Sequence, residues 1–153
     1  MSDLDAPARL SVEAECRRIN ETIGYCLDHR LYDELLECFD QDAKVLRDGV
    51  ELSGREAIHA ALAGRPADVR TRHCPTNYRF TDVASTSARA VIYNLTYLGA
   101  GDRADAPSVL LSAYPMFVEY HDVYRRVGQR WYLMERRMST MFEPRQDGCG
   151  PPA

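Results

Sequence analysis

The chain has 153 residues, of which 45% are hydrophobic and 27% charged, a composition typical of globular domains and not of disordered or fibrous proteins. Folding a chain of this length buries roughly 68–70% of its unfolded surface, so a core with an enclosed pocket needs no disulfide or metal. The formal net charge of −4 argues against nucleic acid as a partner, because nonspecific binding to phosphates depends on clustered Lys and Arg. From the length and composition of the chain we expect a single domain.

Helical spacing dominates the first part of the chain. After a flexible lead over residues 1–10, apolar residues recur at alternating steps of four and three. This pattern predicts an amphipathic helix over residues 11–29 with its buried side at Val12, Cys16, Ile19, Ile23 and Leu27. A second helix is predicted from Leu31, ending in the polar residues 40–42, and a third from Gly54, ending at Gly64 and Pro66.

Strand patterns fill most of the remaining sequence. A short strand over 43–47 turns at Asp48-Gly49 into residues 50–52. Longer stretches of period two, rich in Tyr, Val, Thr and Phe, then predict strands over 71–80, 88–98, 110–127 and 130–142. Between them we expect a loop over 99–107 and a hairpin turn at 128–129, and after them a flexible Gly/Pro tail over 145–153.

Helices followed by antiparallel strands indicate an α+β fold, in which a curved sheet wraps over the N-terminal helices. We place this single domain at residues 11–144. Such a sheet leaves a cone-shaped cavity at one end, where a small apolar ligand would bind.

Asp28 is the first candidate for chemistry. On a helical projection it falls with Tyr25 and Tyr32, roughly opposite the apolar side of the first helix. That position favours a solvated carboxylate at a helix end. A helix break near His29 would rotate Asp28 relative to the apolar side, so a catalytic role stays open.

His73 is the second candidate. Alternation along its strand groups His73 with Asn77 and Arg79, and Cys74 with Tyr78 and Phe80, provided that Pro75 introduces no bulge. Of the four histidines, only His73 follows the loop expected at the open end of the cone, where an imidazole can transfer protons near neutral pH. The alternative is a half-exposed histidine at a strand entry.

Arg136 is the third candidate, because its guanidinium lies in an otherwise apolar or amphipathic row of the last strand. A charge on such a face needs a partner. A structural carboxylate such as Glu119 and a ligand are equally compatible with the pattern. The sequence leaves open which face of this strand looks into the cavity.

Several kinds of site have no counterpart in the sequence. There is no dinucleotide fingerprint, phosphate loop, nucleophile elbow, HExxH or pair of Cys and His at metal spacing, so we expect no cofactor and no metal. The start of the chain lacks a signal-peptide pattern, and no apolar run reaches membrane-spanning length. Five irregularly spaced cysteines indicate free thiols, so we expect a cytoplasmic protein that associates with no membrane.

Three segments resemble the SnoaL-like branch of the nuclear transport factor 2-like superfamily, and the layout matches over residues 12–144. Residues 26–35 resemble the segment of the bile acid dehydratases that carries a catalytic Asp. Residues 72–80 resemble the strand entry with the catalytic His of hexachlorocyclohexane dehydrochlorinase and scytalone dehydratase. Residues 130–137 resemble the closing strand, in which the dehydrochlorinase has an assisting Arg at the position of Arg136.

The resemblance implies a cone-shaped α+β barrel and a cofactor-free lyase. His73 would take a proton, Asp28 would orient its imidazole, and Arg136 or a Tyr hydroxyl would stabilise the leaving group. The substrate would be a cyclic apolar metabolite such as a polyketide, steroid or aromatic compound, and the reaction an elimination of the dehydratase type or a related isomerisation. The resemblance also implies a homo-oligomer, with a trimer favoured over a dimer.

One departure from these families concerns the leaving-group acid. The relatives have a Tyr or a Lys five residues before the catalytic Asp, where this chain has Ile23. Another acid is then required, and Tyr25, Tyr93 and Tyr97 are the candidates. We expect substrate contacts from these three tyrosines and from two further residues, Tyr32 and Asn94.

Two non-catalytic functions compete with the lyase. The Arg72-His73 pair and the Trp131/Arg136-Arg137 pattern also resemble the small subunit of ring-hydroxylating dioxygenases, and a plain ligand-binding domain is the third reading. Asp28 and His73 within hydrogen-bond reach in a cavity would favour the lyase. His73 on the outer surface or at a subunit contact would favour the dioxygenase subunit.

Overall fold

The computed structural model describes residues 4–100 and 115–142, together with the backbone of residues 110–111. Three helices occupy the N-terminal part, α1 (Ala6–His29), α2 (Tyr32–Leu36) and α3 (Gly54–Ala63). Seven strands form one sheet: β1 (Phe39–Arg47), β2 (Val50–Ser53), β3 (Val69–Val83), β4 (Ser87–Ala100), β5 (Leu110–Leu111), β6 (Met116–Val127) and β7 (Arg130–Phe142).

The predicted α+β fold is confirmed, and the sheet is curved and open rather than closed into a barrel. Its strand order is β2-β1-β7-β6-β4-β3, with β5 paired to β4. All pairs are antiparallel except β1 with β7, which run parallel. The predicted strand over 110–127 is divided into β5 and β6. The predicted tail, most of the 99–107 loop and Cys149 lie outside the described residues.

Helix α1 begins at Ala6, within the predicted lead. Asp5 caps it by accepting a hydrogen bond from the Ala8 N–H at 2.8 Å, and Pro7 is compatible with a first helical turn. The predicted apolar side is buried at Val12, Cys16, Ile19 and Ile23, where it packs on the inner face of the sheet. Among the described residues, no helix is long and apolar enough to cross a membrane.

The predicted break after His29 is present, because Arg30 adopts a left-handed backbone with a φ of 59°. Such a conformation usually requires glycine or asparagine. The Arg30 guanidinium donates to the carbonyl oxygens of Pro66, at 2.5 Å, and Val69, at 2.8 Å. These bonds tie the end of α1 to the start of β3, the strand that carries His73.

Two bulges change which residues face inward. In β3 the register with β4 shifts between Thr76 and Arg79, where Asn77 has a φ of 49°. The predicted grouping of His73 with Asn77 and Arg79 is therefore wrong, since Asn77 and Arg79 are exposed while Tyr78 is partly buried. An extra residue in one strand inverts the alternation beyond it.

The bulge in β7 has the same effect. Val123 pairs with Glu135 and Tyr124 with Leu133, which leaves Met134 as the extra residue. Trp131 and Leu133 are buried before the bulge and Arg136 after it. Both faces predicted for this strand thus contribute to the interior.

Candidate functional site

Asp28 and His73 lie next to each other where the end of α1 meets β3. The Asp28 Oδ1 atom is 2.6 Å from His73 Nδ1, and its Oδ2 accepts the main-chain N–H of His73 at 2.9 Å. The side chains are 6% and 14% exposed, respectively. Because Nδ1 faces a carboxylate, the neutral ring carries its proton there, and Nε2 is left as the basic nitrogen. No hydrogen bond from any described residue occupies Nε2.

A second set of bonds fixes the Asp28 carboxylate from the other side. The Thr71 hydroxyl donates to Asp28 Oδ1 at 2.9 Å and accepts from Arg65 Nη2 at 3.0 Å. Arg65 also donates through Nη1 to the carbonyl oxygen of Leu27 at 2.8 Å. These contacts hold Asp28 in one rotamer, which is the requirement for a carboxylate that orients an imidazole.

Burial by itself would raise the pKa of Asp28. The hydrogen bonds from the ring and main chain of His73, the charge of that ring and the Thr71 hydroxyl outweigh burial and lower the pKa below its ordinary value. Asp28 is therefore a carboxylate at neutral pH, able to stabilise an imidazolium.

The two elements approach each other closely at Gly24, where there is room for a small residue only. A Cβ atom at this position would lie 3.5 Å from His73 Cβ and 3.8 Å from the His73 carbonyl oxygen. A longer side chain would therefore meet β3. Asn20, Gly24 and Asp28 recur every four residues and continue the buried side of α1 toward the sheet, which explains why Asp28 is not solvated as the projection suggested.

A small, partly open recess lies beside the pair. Apolar residues and a few polar groups share its lining, the combination expected of a small-molecule site. The lining residues are Asn20, Ile23, Gly24, Leu27, His73, Pro75, Asn94, Tyr120 and Arg136.

Arg136 enters this recess from a buried hydrogen-bond network. It donates through Nε and Nη2 to both carboxylate oxygens of Asp122, at 2.8 and 2.7 Å. Asn20 accepts from Arg136 Nη2 at 2.5 Å and donates to Asp122 Oδ2 at 3.0 Å. Tyr124 donates to the same oxygen at 2.7 Å and accepts from Asn20. In the described part of the chain, no partner engages Arg136 Nη1.

This network answers what the sequence left open about Arg136. Its carboxylate partner is Asp122, its direct neighbour across the β6/β7 pair, and not Glu119, which instead lies 2.7 Å from His121 Nε2. Burial would lower the pKa of Arg136, but the charge and hydrogen bonds of Asp122 raise it above its ordinary value. Arg136 is therefore positively charged at the recess, and the Asp122 carboxylate balances this charge.

The sequence profile of the SnoaL-like domain matches residues 8–137. The chain belongs to the SnoaL-like family. No curated protein matches it by sequence.

Solved structures share the fold of this SnoaL-like chain at low sequence identity. A hexachlorocyclohexane dehydrochlorinase, LinA type 2, is 16% identical with a TM-score of 0.75, covering 95% of this chain and 97% of its own. A candidate scytalone dehydratase from Novosphingobium aromaticivorans DSM 12444 is 20% identical with a TM-score of 0.74, covering 89% and 88%. ActVI-ORFA from Streptomyces coelicolor is 18% identical with a TM-score of 0.69, covering 86% and 98%. They confirm the nuclear transport factor 2-like fold.

The structure does not bring the four predicted tyrosines to the recess. Tyr25 is 58% exposed and stacks on His29, and the Tyr32 hydroxyl accepts from Arg30 at 3.3 Å. Tyr93 and Tyr97 point to the opposite face of β4 from Asn94, because neighbouring strand residues alternate. Asn94 does line the recess, and its amide donates to Thr96 at 2.8 Å.

Sequence reasoning missed several residues of the site. Asn20 could have been found from the spacing of four that it shares with Gly24 and Asp28. Asp122, Tyr120 and Thr71 carry no local signal, since only the sheet register brings them to the site. Among the described residues, no three His, Cys, Asp or Glu side chains are grouped as a metal site.

Proposed function

We propose that this SnoaL-like protein catalyses a cofactor-free elimination, with His73 as the base. The contact of 2.6 Å between His73 Nδ1 and Asp28 carries the proposal, because it leaves Nε2 basic and beside the recess. A positioned general base of this kind contributes typically 10²–10⁴-fold to a rate.

The reaction balances without an external redox partner. Nε2 of His73 takes a proton from a substrate carbon, the C–H electrons form a carbon–carbon double bond, and the leaving group departs from the neighbouring carbon with its bonding electrons. Asp28 stabilises the imidazolium that forms. A single imidazole can remove only an acidified proton, so we propose a substrate with a carbonyl next to the C–H bond.

Arg136 and Asn94 supply the polar contacts for such a substrate. The free Nη1 group of Arg136 can donate to an oxygen or halide on which negative charge develops, and preorganised donors of this type are worth about 10²–10³-fold each. Asn94 can hold a hydroxyl or carbonyl. Ile23, Leu27 and Pro75 provide apolar walls, so we propose that one ring of a cyclic apolar substrate packs against the mouth of the recess.

The position of His73 favours the lyase over a dioxygenase small subunit. A supporting subunit would show His73 on its outer surface, whereas this side chain is 14% exposed and lines the recess. The names of two structural relatives, a dehydrochlorinase and a candidate scytalone dehydratase, agree with elimination chemistry.

The test is turnover of small ring ketones that carry a hydroxyl or a halogen on the β carbon, with formation of the enone as readout. His73→Gln should abolish turnover, and its circular dichroism spectrum should show that the protein remains folded. His59→Gln is the matched control, because His59 is an exposed residue of α3. Full activity in His73→Gln would rule out the dyad, and ring ketones that bind without turnover would favour the ligand-binding domain.

The proposal includes a homo-oligomer in the cytoplasm, with a trimer favoured over a dimer. Apolar rings on the outer face of the sheet support self-association: Phe117 lies 5.2 Å from Tyr93 and 5.8 Å from Phe142, which is 70% exposed. Light scattering that gives the mass of a monomer would contradict it. Cys16, Cys26, Cys38 and Cys74 are free thiols, as expected in a reducing compartment.

A further inference from the structure

The elimination proposed above needs a proton source when the leaving group is an oxygen. Chloride leaves as a stable anion, whereas hydroxide is a strong base and must be protonated as its bond to carbon breaks. At the position where the resembling families have a Tyr or a Lys, the recess has the apolar Ile23. Another residue of the lining is then the first candidate for the proton source.

The lining itself narrows the choice. Ile23, Gly24, Leu27 and Pro75 have no dissociable side-chain proton, and neither do the amides of Asn20 and Asn94 in this pH range. Arg136 stays charged and can only donate a hydrogen bond. His73 is the base. Tyr120 is the lining residue that remains.

Tyr120 is held tightly on the inner face of β6. It is 4% exposed, lies between Ile92 of β4 and Met138 of β7 in the register, and has the Arg136 guanidinium 4.2 Å from its ring centroid. Its hydroxyl makes no hydrogen bond to a described residue. Among these residues, two polar side-chain atoms are fully enclosed and have no partner, the Tyr78 hydroxyl and Arg126 Nε. The Tyr120 hydroxyl is not one of them. The hydroxyl therefore keeps accessible surface, and we place that surface in the recess.

The electrostatics around Tyr120 keep its phenol in the protonated form. Burial raises the pKa of Tyr120, the positive charge of Arg136 partly opposes this effect, and the carboxylates of Asp122 and Asp28 raise the pKa further. The phenol is therefore fully protonated at neutral pH. The Arg136 charge, 4.2 Å from the ring centroid, favours the phenolate formed after proton transfer, whereas its partner Asp122 opposes it.

We infer that Tyr120 is the leaving-group acid, and that the site is consequently suited to eliminating water from a β-hydroxy ring ketone. This inference rests on the proposed function of His73. As His73 Nε2 takes the carbon-bound proton, the C–O bond breaks, the departing oxygen takes the phenol proton and leaves as water, and Tyr120 becomes a phenolate. The imidazolium proton then returns to the phenolate through water, which restores both residues.

The experiment compares two ketones that yield the same enone, 3-hydroxycyclohexanone and 3-chlorocyclohexanone. Tyr120→Phe should lower kcat/KM for the hydroxy ketone by about 10²–10⁴-fold, the usual value of a general acid, and leave the chloro ketone unaffected. Tyr97→Phe is the matched control, since Tyr97 is on the outer face. His73→Gln should abolish both reactions.

The activities of the variants on the two ketones distinguish the possible outcomes. Equal losses on both ketones, or no loss on either, in Tyr120→Phe would overturn the role of Tyr120. Full activity of His73→Gln on both ketones would overturn the proposed function instead. If the wild type turns over neither ketone, the proposed function and the role of Tyr120 as an acid both fail for this substrate class, and binding then tests only whether the Tyr120 hydroxyl faces the recess.

The binding measurement uses phenol and toluene, which differ by one hydroxyl. Calorimetric titration should show that Tyr120→Phe weakens the binding of phenol by roughly two- to tenfold, the value of one hydrogen bond, and leaves the affinity for toluene unchanged. Unchanged phenol affinity would overturn the inference. Failure of both rings to bind the wild type would overturn it as well, together with the ring-binding recess on which it depends.

Discussion

Replacing Asp28 by Asn tests the central contact of the site without any knowledge of the substrate. Asp28 accepts three hydrogen bonds, from the Thr71 hydroxyl, the His73 ring and the His73 main chain. The amide oxygen of Asn can replace one carboxylate oxygen, but its NH₂ group meets the N–H donor that the other oxygen accepts. Losing a charge-assisted bond and leaving a buried donor unpaired should cost about 2–4 kcal/mol of unfolding free energy at pH 7.

The stability that Asp28 contributes should depend on pH. The pKa of Asp28 is lowered in the folded state, so its carboxylate stabilises the fold above the unfolded-state pKa of roughly 3.9, and this contribution is lost as the pH falls through the lower folded value. Urea unfolding at pH 7, 5, 4 and 3 should show a full difference between wild type and Asp28→Asn at pH 7 and 5. The difference should shrink below about pH 4.

The control is Asp68→Asn, in an exposed turn, which should unfold like the wild type. A difference for Asp28→Asn that is absent at pH 7, or that stays constant down to pH 3, would refute the account of an ionised, hydrogen-bonded Asp28. Where a substrate is found, the variant should also lose about 10³–10⁴-fold in kcat, since the imidazole is no longer held in its tautomer.

Two further variants test the packing and charge around the site. Gly24→Ala should raise the unfolding free energy by about 0.5–1 kcal/mol, because Ala favours a helix and its methyl group meets His73 at an ordinary contact distance of 3.5 Å. Gly24→Leu should lower the unfolding free energy. Urea midpoints in the opposite order would contradict the proximity of α1 and β3. Asp122→Asn should cost about 3–5 kcal/mol by leaving the buried Arg136 charge uncompensated. A loss no larger than that of exposed Asp82→Asn would argue against the buried pair.

The sequence predicted the secondary structure because its signals are local. Alternating steps of four and three gave the buried side of α1, and period two gave the long strands, within a few residues at their ends. The errors occurred where a longer-range contact prevailed. Phe39 was expected at the end of the second helix but begins β1, where it pairs with Leu133 of the distant β7.

The residues of the site show the same difference between local signals and long-range contacts. Asp28 and His73 could be paired from the sequence only through family resemblance, because 45 residues separate them and no spacing rule connects them. Tyr93 and Tyr97 were expected in the cavity, but Asn94 occupies that face of β4 and the tyrosines lie on the other. Alternation correctly separates these residues into two sets, but it does not indicate which set faces inward.

By itself, the sequence determined the α+β class, the buried side of α1 and the approximate span of each strand, since propensity and periodicity depend on neighbouring residues. Only the tertiary structure decided the partner of Arg136, the position of Tyr120 and the burial of Asp28. Asp122 faces Arg136 because of the β6/β7 register, and one extra residue at Met134 determines which face of β7 reaches the recess. A bulge of one residue leaves little trace in composition, yet it inverts every side chain beyond it.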